Sequence, residues 1–154
     1  MAGNLKQRLI KAGRDFNYAE GVKVLNNTGS TIVANKIVYA SGNSGPFITI
    51  ALAKADAEAT CAGRLHIVKH DIPAGGYGVC LPWKLATGLT ATDATLPAAA
   101  AGAELYLSQG TAGVATASKP GSGIVRAVGS VVTAETASNA DGAVLFSNDC
   151  SVVG

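Results

Sequence analysis

The sequence predicts an all-β fold, a single-domain β-sandwich or barrel behind a short N-terminal basic arm, and three observations carry that prediction. Short runs rich in Val, Ile, Leu and Tyr recur from Val22 to Phe146, separated by Gly, Asn, Ser, Thr and Pro. β-Branched and aromatic side chains fit a pleated, half-buried surface, so these runs read as strands and the separators as turns. The chain has 154 residues, which suits one domain able to bury about two-thirds of the surface its unfolded form exposes. Residues 1–20 differ in character from the rest, so the organisation expected is an arm over 1–20 and an all-β domain over 21–154.

The strands expected, in order, are Val22–Leu25, Lys36–Ala40, Phe47–Leu52, Leu65–Val68, Gly78–Leu81, Glu104–Leu107, Ile124–Val128 and Ala143–Phe146. Asn26-Asn-Thr-Gly-Ser30 and Ser41-Gly-Asn-Ser-Gly-Pro46 are turn clusters, because Gly and Asn accept the positive φ that tight turns need. Ala53–Ala62 is the one stretch of the body with helix-favouring composition, enough for a single turn around Asp56 and Glu58. Thr87–Gly102 lacks strand periodicity and ends in Pro97-Ala-Ala-Ala-Ala-Gly102, which predicts a long surface loop of the kind that often carries interactions. Gly75-Gly-Tyr-Gly78 and Gly121-Ser-Gly123 read as hairpin turns. A weak internal echo links Asn35-Lys-Ile-Val-Tyr-Ala-Ser41 to Gly102-Ala-Glu-Leu-Tyr-Leu-Ser108, each a turn-forming residue followed by a strand ending in Tyr-x-Ser.

Charge is sparse and uneven. Charged residues make up 14% of the chain, well below the roughly 25% of an ordinary soluble domain, so little electrostatic repulsion keeps neighbours apart. The net charge of +2 is concentrated at one end, where Lys6, Arg8, Lys11, Arg14 and Lys23 face only Asp15 and Glu20. Leu5, Leu9 and Ile10 among those cations give a brief amphipathic helical turn that Gly13 interrupts. That turn is too short to hold alone, so the arm is expected to order on a partner or on its own body. It lacks the aromatic interleaving and the longer basic stripe of a nucleic-acid surface, and no run approaches the length of a membrane span, so neither nucleic acid nor membrane is an expected partner.

Cys61, Cys80 and Cys150 are odd in number and contain no Cys-x-x-Cys pair. They read as small buried hydrophobes in a reducing compartment, and with no apolar stretch after the basic N-terminus, synthesis in a cytoplasm is the simplest expectation. Asn26-Asn27-Thr28 fits a glycosylation sequon but reads more simply as a turn.

No motif supplies catalysis or a cofactor. His66 and His70 share a face in a strand but stand roughly 13 Å apart along it, too far to hold one metal ion. Neither glycine cluster completes a phosphate-binding loop, and no nucleophile elbow or Walker sequence is present. Asp56 with Glu58, or Asp141 with Asp149, could form an acid–base pair only if the fold set them across a cleft. Trp83, the sole tryptophan, follows Pro82 and is read either as a core anchor or as an interface hot spot.

From Val22 to about Val132 the chain resembles a family of small phage virion proteins of the capsid decoration, or cement, type, whose relatives also occur as modules in tail components. The resemblance rests on Val24-Leu-Asn-Asn-Thr-Gly-Ser-Thr-Ile32, Val38-Tyr-Ala-Ser-Gly42, Ile50-Ala-Leu-Ala-Lys-Ala-Asp-Ala-Glu-Ala59, Ala62-Gly-Arg-Leu-His-Ile67 and Asp71-Ile72. Gly88-Leu89, Gly102–Ser108, Gly113, Thr116, Pro120 and Val125–Val132 continue it in the same order. One departure is Asn35, where the family usually carries Gly ahead of the strand; Asn can still reach a left-handed backbone. The resemblance implies an all-β scaffold with no catalytic residues. It also implies a structural role in a tailed-bacteriophage virion, on the outer face of the head, cementing major capsid subunits, and the basic arm favours a head over a tail location.

Leu5, Arg8, Leu9, Ile10, Lys11 and Arg14 are the residues expected to bind the major capsid protein or a neighbouring subunit. Trp83 and Pro97 are the expected contacts of a homotrimer. The alternatives are a tail or tail-fibre module and a carbohydrate-binding surface protein, the latter disfavoured by an aromatic content of 5%.

Overall fold

A computed structural model describes residues 21–89, 100–134 and 142–147. They form an all-β body of a closed five-stranded barrel and a second five-stranded sheet. The barrel contains β1 (Val22–Asn26), β2 (Ile37–Ser44), β3 (Phe47–Leu52), β4 (Leu65–Val68) and β5 (Tyr77–Leu81), in the order β1-β3-β2-β4-β5. Its pairs are antiparallel except β1 with β3, which is parallel, and β5 returns to β1 to close it. The second sheet contains β6 (Trp83–Leu89), β7 (Glu104–Leu107), β8 (Ala115–Thr116), β9 (Ala127–Thr133) and β10 (Gly142–Ser147), in the order β6-β10-β9-β7-β8 with every pair antiparallel.

Two cores result, and the barrel wall separates them. Val24, Ile32, Val38, Ile50, Val68, Ile72 and Cys80 fill the barrel. Ile37, Leu65 and Ile67 point outward from the same wall and meet Leu105, Leu107, Val128, Val131, Val144 and Phe146 of the second sheet. Ile37 and Val38 are therefore both fully buried although they lie on opposite faces of one strand. A strand covered on both faces carries a continuous apolar run rather than an alternating one, which explains Ile-Val in β2 and Ile-Val at the end of β4.

Most of the expected strands are present, with Phe47–Leu52, Leu65–Val68 and Glu104–Leu107 at the expected bounds. The single helical turn falls at Glu58–Thr60 as a 3-10 turn. The echo between the two halves has a backbone counterpart, since Asn35 (φ 66°) and Gly102 (φ 85°) both adopt the left-handed conformation just ahead of their strands.

Five expectations are corrected. Ser41–Ser44 belongs to β2 rather than to a turn cluster, which leaves Gly45 and Pro46 as the turn. Thr87–Leu89 belongs to β6 rather than to a loop, and residues 90–99, the remainder of that loop up to Ala99, lie outside the described residues. The strand β8 was not expected, and β9 starts at Ala127 rather than Ile124. The Gly121–Gly123 segment is not a hairpin turn, because β8 and β9 both pair with β7 and the connection between them passes across it.

Three polar side chains fasten the fold, one within the barrel and two between the layers. Asn26, fully buried at the end of β1, donates through Nδ2 to the carbonyls of Ser30 (2.8 Å) and Ile72 (2.9 Å), and its Oδ1 accepts from the Thr28 amide and hydroxyl. The sequon at this position is therefore a structural turn. Arg126, 2% exposed, donates through Nη1 to the Cys61 carbonyl and so ties the start of β9 to the 3-10 turn. Lys84 crosses from β6 to the barrel, where Nζ donates to Asn35 Oδ1 (2.6 Å) and the Lys69 carbonyl (3.0 Å). Burial holds the Lys84 amine below the usual lysine range.

Candidate interaction surfaces

The side chains read as candidate chemistry stay apart. His66 sits on β4, half-buried, and burial lowers its imidazole below the usual range, whereas His70 is exposed beyond the strand end with Nδ1 3.0 Å from the Asp71 carbonyl. Among the described residues no three His, Cys, Asp or Glu side chains group to hold a metal ion. Asp56 pairs with Lys54 at 2.9 Å, and that hydrogen bond holds its exposed carboxyl below the ordinary value. Glu58 begins the 3-10 turn beside it, on exposed surface rather than across a cleft. Asp141 and Asp149 lie outside the described residues.

Cys61 and Cys80 are buried free thiols, and Cys150 is outside the described residues. Burial pushes the Cys80 thiol up to about 12 and raises that of Cys61 as well. Both stay protonated near neutral pH and behave as packing groups, since the thiolate is the reactive form.

Two apolar surfaces face solvent instead. On the second sheet, Lys84 and Ala86 of β6 stand opposite Phe146 and Val144 on the inner face, so the alternate residues Trp83 and Leu85 face outward. Trp83 is 57% exposed, Leu85 50% and Val132 48%, and Leu85 lies opposite the partly buried Leu145. Of the two readings of the tryptophan, core anchor and surface hot spot, the fold places it on the surface. The inversion explains why β6 escaped sequence analysis: its largest apolar residues point out, its lysine points in, and it ends on Gly88 (φ 70°) and Leu89.

The second surface is on the barrel. Adjacent strands β5, β1 and β3 bring Tyr77, Lys23 and Phe47 together. The two rings meet edge to face at 4.9 Å and 65°, and the Lys23 ammonium lies 5.2 Å from the Phe47 centroid and 5.5 Å from that of Tyr77. Each such contact contributes about 0.5–1 kcal/mol at an exposed site. Lys23 fixes the orientation of the rings while Tyr77 remains 52% exposed. A groove lined by Gly21, Lys23, His70, Tyr77, Gly78 and Val79 runs beside them. The sequence signal for this surface is scattered, because the three residues are far apart along the chain and are joined only by the parallel β1–β3 and antiparallel β1–β5 pairings.

The arm residues Leu5, Arg8, Leu9, Ile10, Lys11 and Arg14, and Pro97, lie outside the described residues. Comparison with protein-family models, with curated proteins and with solved structures found no match in any of the three.

Proposed function

We propose that this protein is a structural component of a tailed-bacteriophage virion, a decoration protein that binds the outer face of the head and cements neighbouring major capsid subunits. The observation that carries the reading is the distribution of exposed apolar side chains. They lie on two separate surfaces, one on the barrel and one on the second sheet, as a protein that bridges several neighbours requires. The ordered series of short motifs from Val24 to Val132 supports it, as does the low charge of the chain. In this reading the basic arm, through Leu5, Arg8, Leu9, Ile10, Lys11 and Arg14, grips the capsid or a neighbouring copy. Three copies form a closed cap at local three-fold positions, with Trp83 at the contact between them.

The mechanism is linkage. A cement that binds only the assembled lattice stabilises that lattice by RT ln(1 + [L]/Kd), about 2.7 kcal/mol per site at a hundredfold excess over Kd. Bridging makes each further contact intramolecular, so modest contacts sum to slow release. Heads carrying the protein should leak DNA at a higher temperature than heads stripped of it. Equal leakage together with turnover of a glycan substrate would overturn the reading in favour of a carbohydrate-active surface protein.

A further inference from the structure

We infer that Lys84, held by the side chain of Asn35, is a positioning residue that fixes which face of the edge strand β6 meets solvent and so keeps Trp83 and Leu85 turned outward. Side chains alternate across a strand, so Trp83 and Leu85 share one face of β6 and Lys84 and Ala86 the other. Burial of apolar surface alone would turn Trp83 and Leu85 inward and release Lys84 to water. The strand does the reverse, with Trp83 and Leu85 exposed and Lys84 and Ala86 opposite Phe146 and Val144. Among the described residues β6 pairs only with β10, so one ladder and its own side chains hold it. Because a slip of one residue turns every side chain of a strand to the other face, one anchored residue sets the facing of its neighbours.

The anchor ends on a second irregularity. Asn35 is the only residue other than glycine with a positive φ (66°) among the described residues. The same left-handed conformation at the turns ahead of β5 and β7 is taken by Gly75 (φ 70°) and Gly102 (φ 85°). Glycine adopts it freely and asparagine at some cost, so the turn itself gives no reason for Asn35. What asparagine adds is an acceptor: Oδ1 receives the Lys84 ammonium at 2.6 Å, beside the Lys69 carbonyl at 3.0 Å and the Val68 carbonyl at 3.5 Å. The backbone carbonyls are present whatever residue stands at 35, whereas the shortest of the three bonds needs this side chain. The Asn35 amide in turn donates to the Val68 carbonyl at 2.9 Å, which ties the acceptor to the end of β4 in the closed barrel. The left-handed asparagine and the inward lysine are thus one device, and its product is the outward Trp83–Leu85 face. This positioning role stands without the decoration reading, on which only the identity of what meets Trp83 rests.

Trp83 is the sole tryptophan of the chain, so its emission reports on β6 alone. The full-length protein is compared with Asn35→Gly, which suits the left-handed turn but lacks the acceptor, and with Asn35→Asp, which keeps an oxygen there. In Asn35→Gly the emission of Trp83 should move to shorter wavelength as the residue turns inward. Its acrylamide quenching constant should fall about twofold, and the amides of β6 should exchange about tenfold faster through local opening. Lys84→Gln, a shorter and uncharged donor, should do the same; the double variant should add nothing to either change, and Asn35→Asp should match the natural chain. An asparagine that served the turn alone would leave Trp83 unmoved in Asn35→Gly. Thermal melts confirm that each variant is folded, and Lys84→Gln is read in place of Asn35→Gly if the latter is not. Emission and quenching that stay unchanged or shift toward greater exposure in the folded variants, additive effects in the double variant, or Asn35→Asp behaving as Asn35→Gly would each overturn the assignment. No capsid takes part, so this readout and the head-leakage experiment can fail independently.

Discussion

The barrel and the second sheet bury similar residues but solve the edge problem differently. The barrel closes through the β5–β1 pairing, so all five strands have partners on both sides, and its core of Val24, Ile32, Val38, Ile50, Val68, Ile72 and Cys80 is complete without the second sheet. The second sheet is open, with β6 and β8 at its edges, and its inner residues share a core with Ile37, Leu65 and Ile67 of the barrel wall and with Ala53, Ala55 and Cys61. A closed barrel can stand as its own unit, whereas an open sheet with one apolar face must lean on another layer. The barrel is thus the support and the second sheet the dependent layer, and each exposes its own apolar surface to solvent.

The sharpest way to break this asymmetry is Phe146→Ala. Phe146 is fully buried in the core between the layers, and the truncation should cost about 4 kcal/mol. If the barrel is self-sufficient, hydrogen exchange should show β6–β10 losing protection while β1–β5 keep theirs; uniform loss across both would contradict the comparison. Asn26→Ala acts on the other side. It leaves the Ser30 and Ile72 carbonyls without their side-chain donor and should cost about 3 kcal/mol by urea denaturation, with the barrel strands first to open. Lys84→Met removes the link between the layers at Asn35 and Lys69. It should cost about 1–2 kcal/mol, less than Asn26→Ala, because the Lys84 ammonium is held below its ordinary range by burial and its removal relieves that cost.

A pH dependence sharpens the picture of the barrel interior. Burial raises the Cys80 thiol from its ordinary value of 9.0 to about 12. A raised pKa means that the folded state holds the proton more tightly than the unfolded chain, so the stability it contributes is complete below pH 9 and is lost as pH rises from there toward 12. The loss has a limiting slope of about 1.4 kcal/mol per pH unit. Denaturation series at pH 8, 9 and 10 should show a steeper decline for the natural chain than for Cys80→Ala. The smallest effects belong to the exposed surfaces, where Trp83→Ala and Tyr77→Ala should each change stability by less than about 0.5–1 kcal/mol, as residues available for partners do.

The sequence showed the barrel more clearly than the second sheet, for a physical reason. Leu65–Val68 buries all three of its apolar residues, and Phe47–Leu52 is apolar at every position but Thr49, so hydrophobicity marks their position and length. In β6 the pattern is reversed by Lys84 reaching inward to polar atoms and by Trp83 and Leu85 facing out, and hydrophobicity no longer marks the buried face. β8, with two residues, is too short to leave a pattern. The late start of β9 accompanies a register shift against β7, between Leu105 and Tyr106, which an apolar run from Ile124 does not reveal. Of the surfaces, Trp83 was legible as a lone large aromatic. The Lys23–Phe47–Tyr77 cluster was not, because pairings of β1 with β3 and with the distant β5 cannot be read from local pattern.

The most direct test of the central claim, that this chain coats a capsid lattice, is its copy number in purified virions by quantitative mass spectrometry against the major capsid protein. The account predicts hundreds of copies per particle, in fixed proportion to the capsid subunit; a handful per particle, or none, would contradict it.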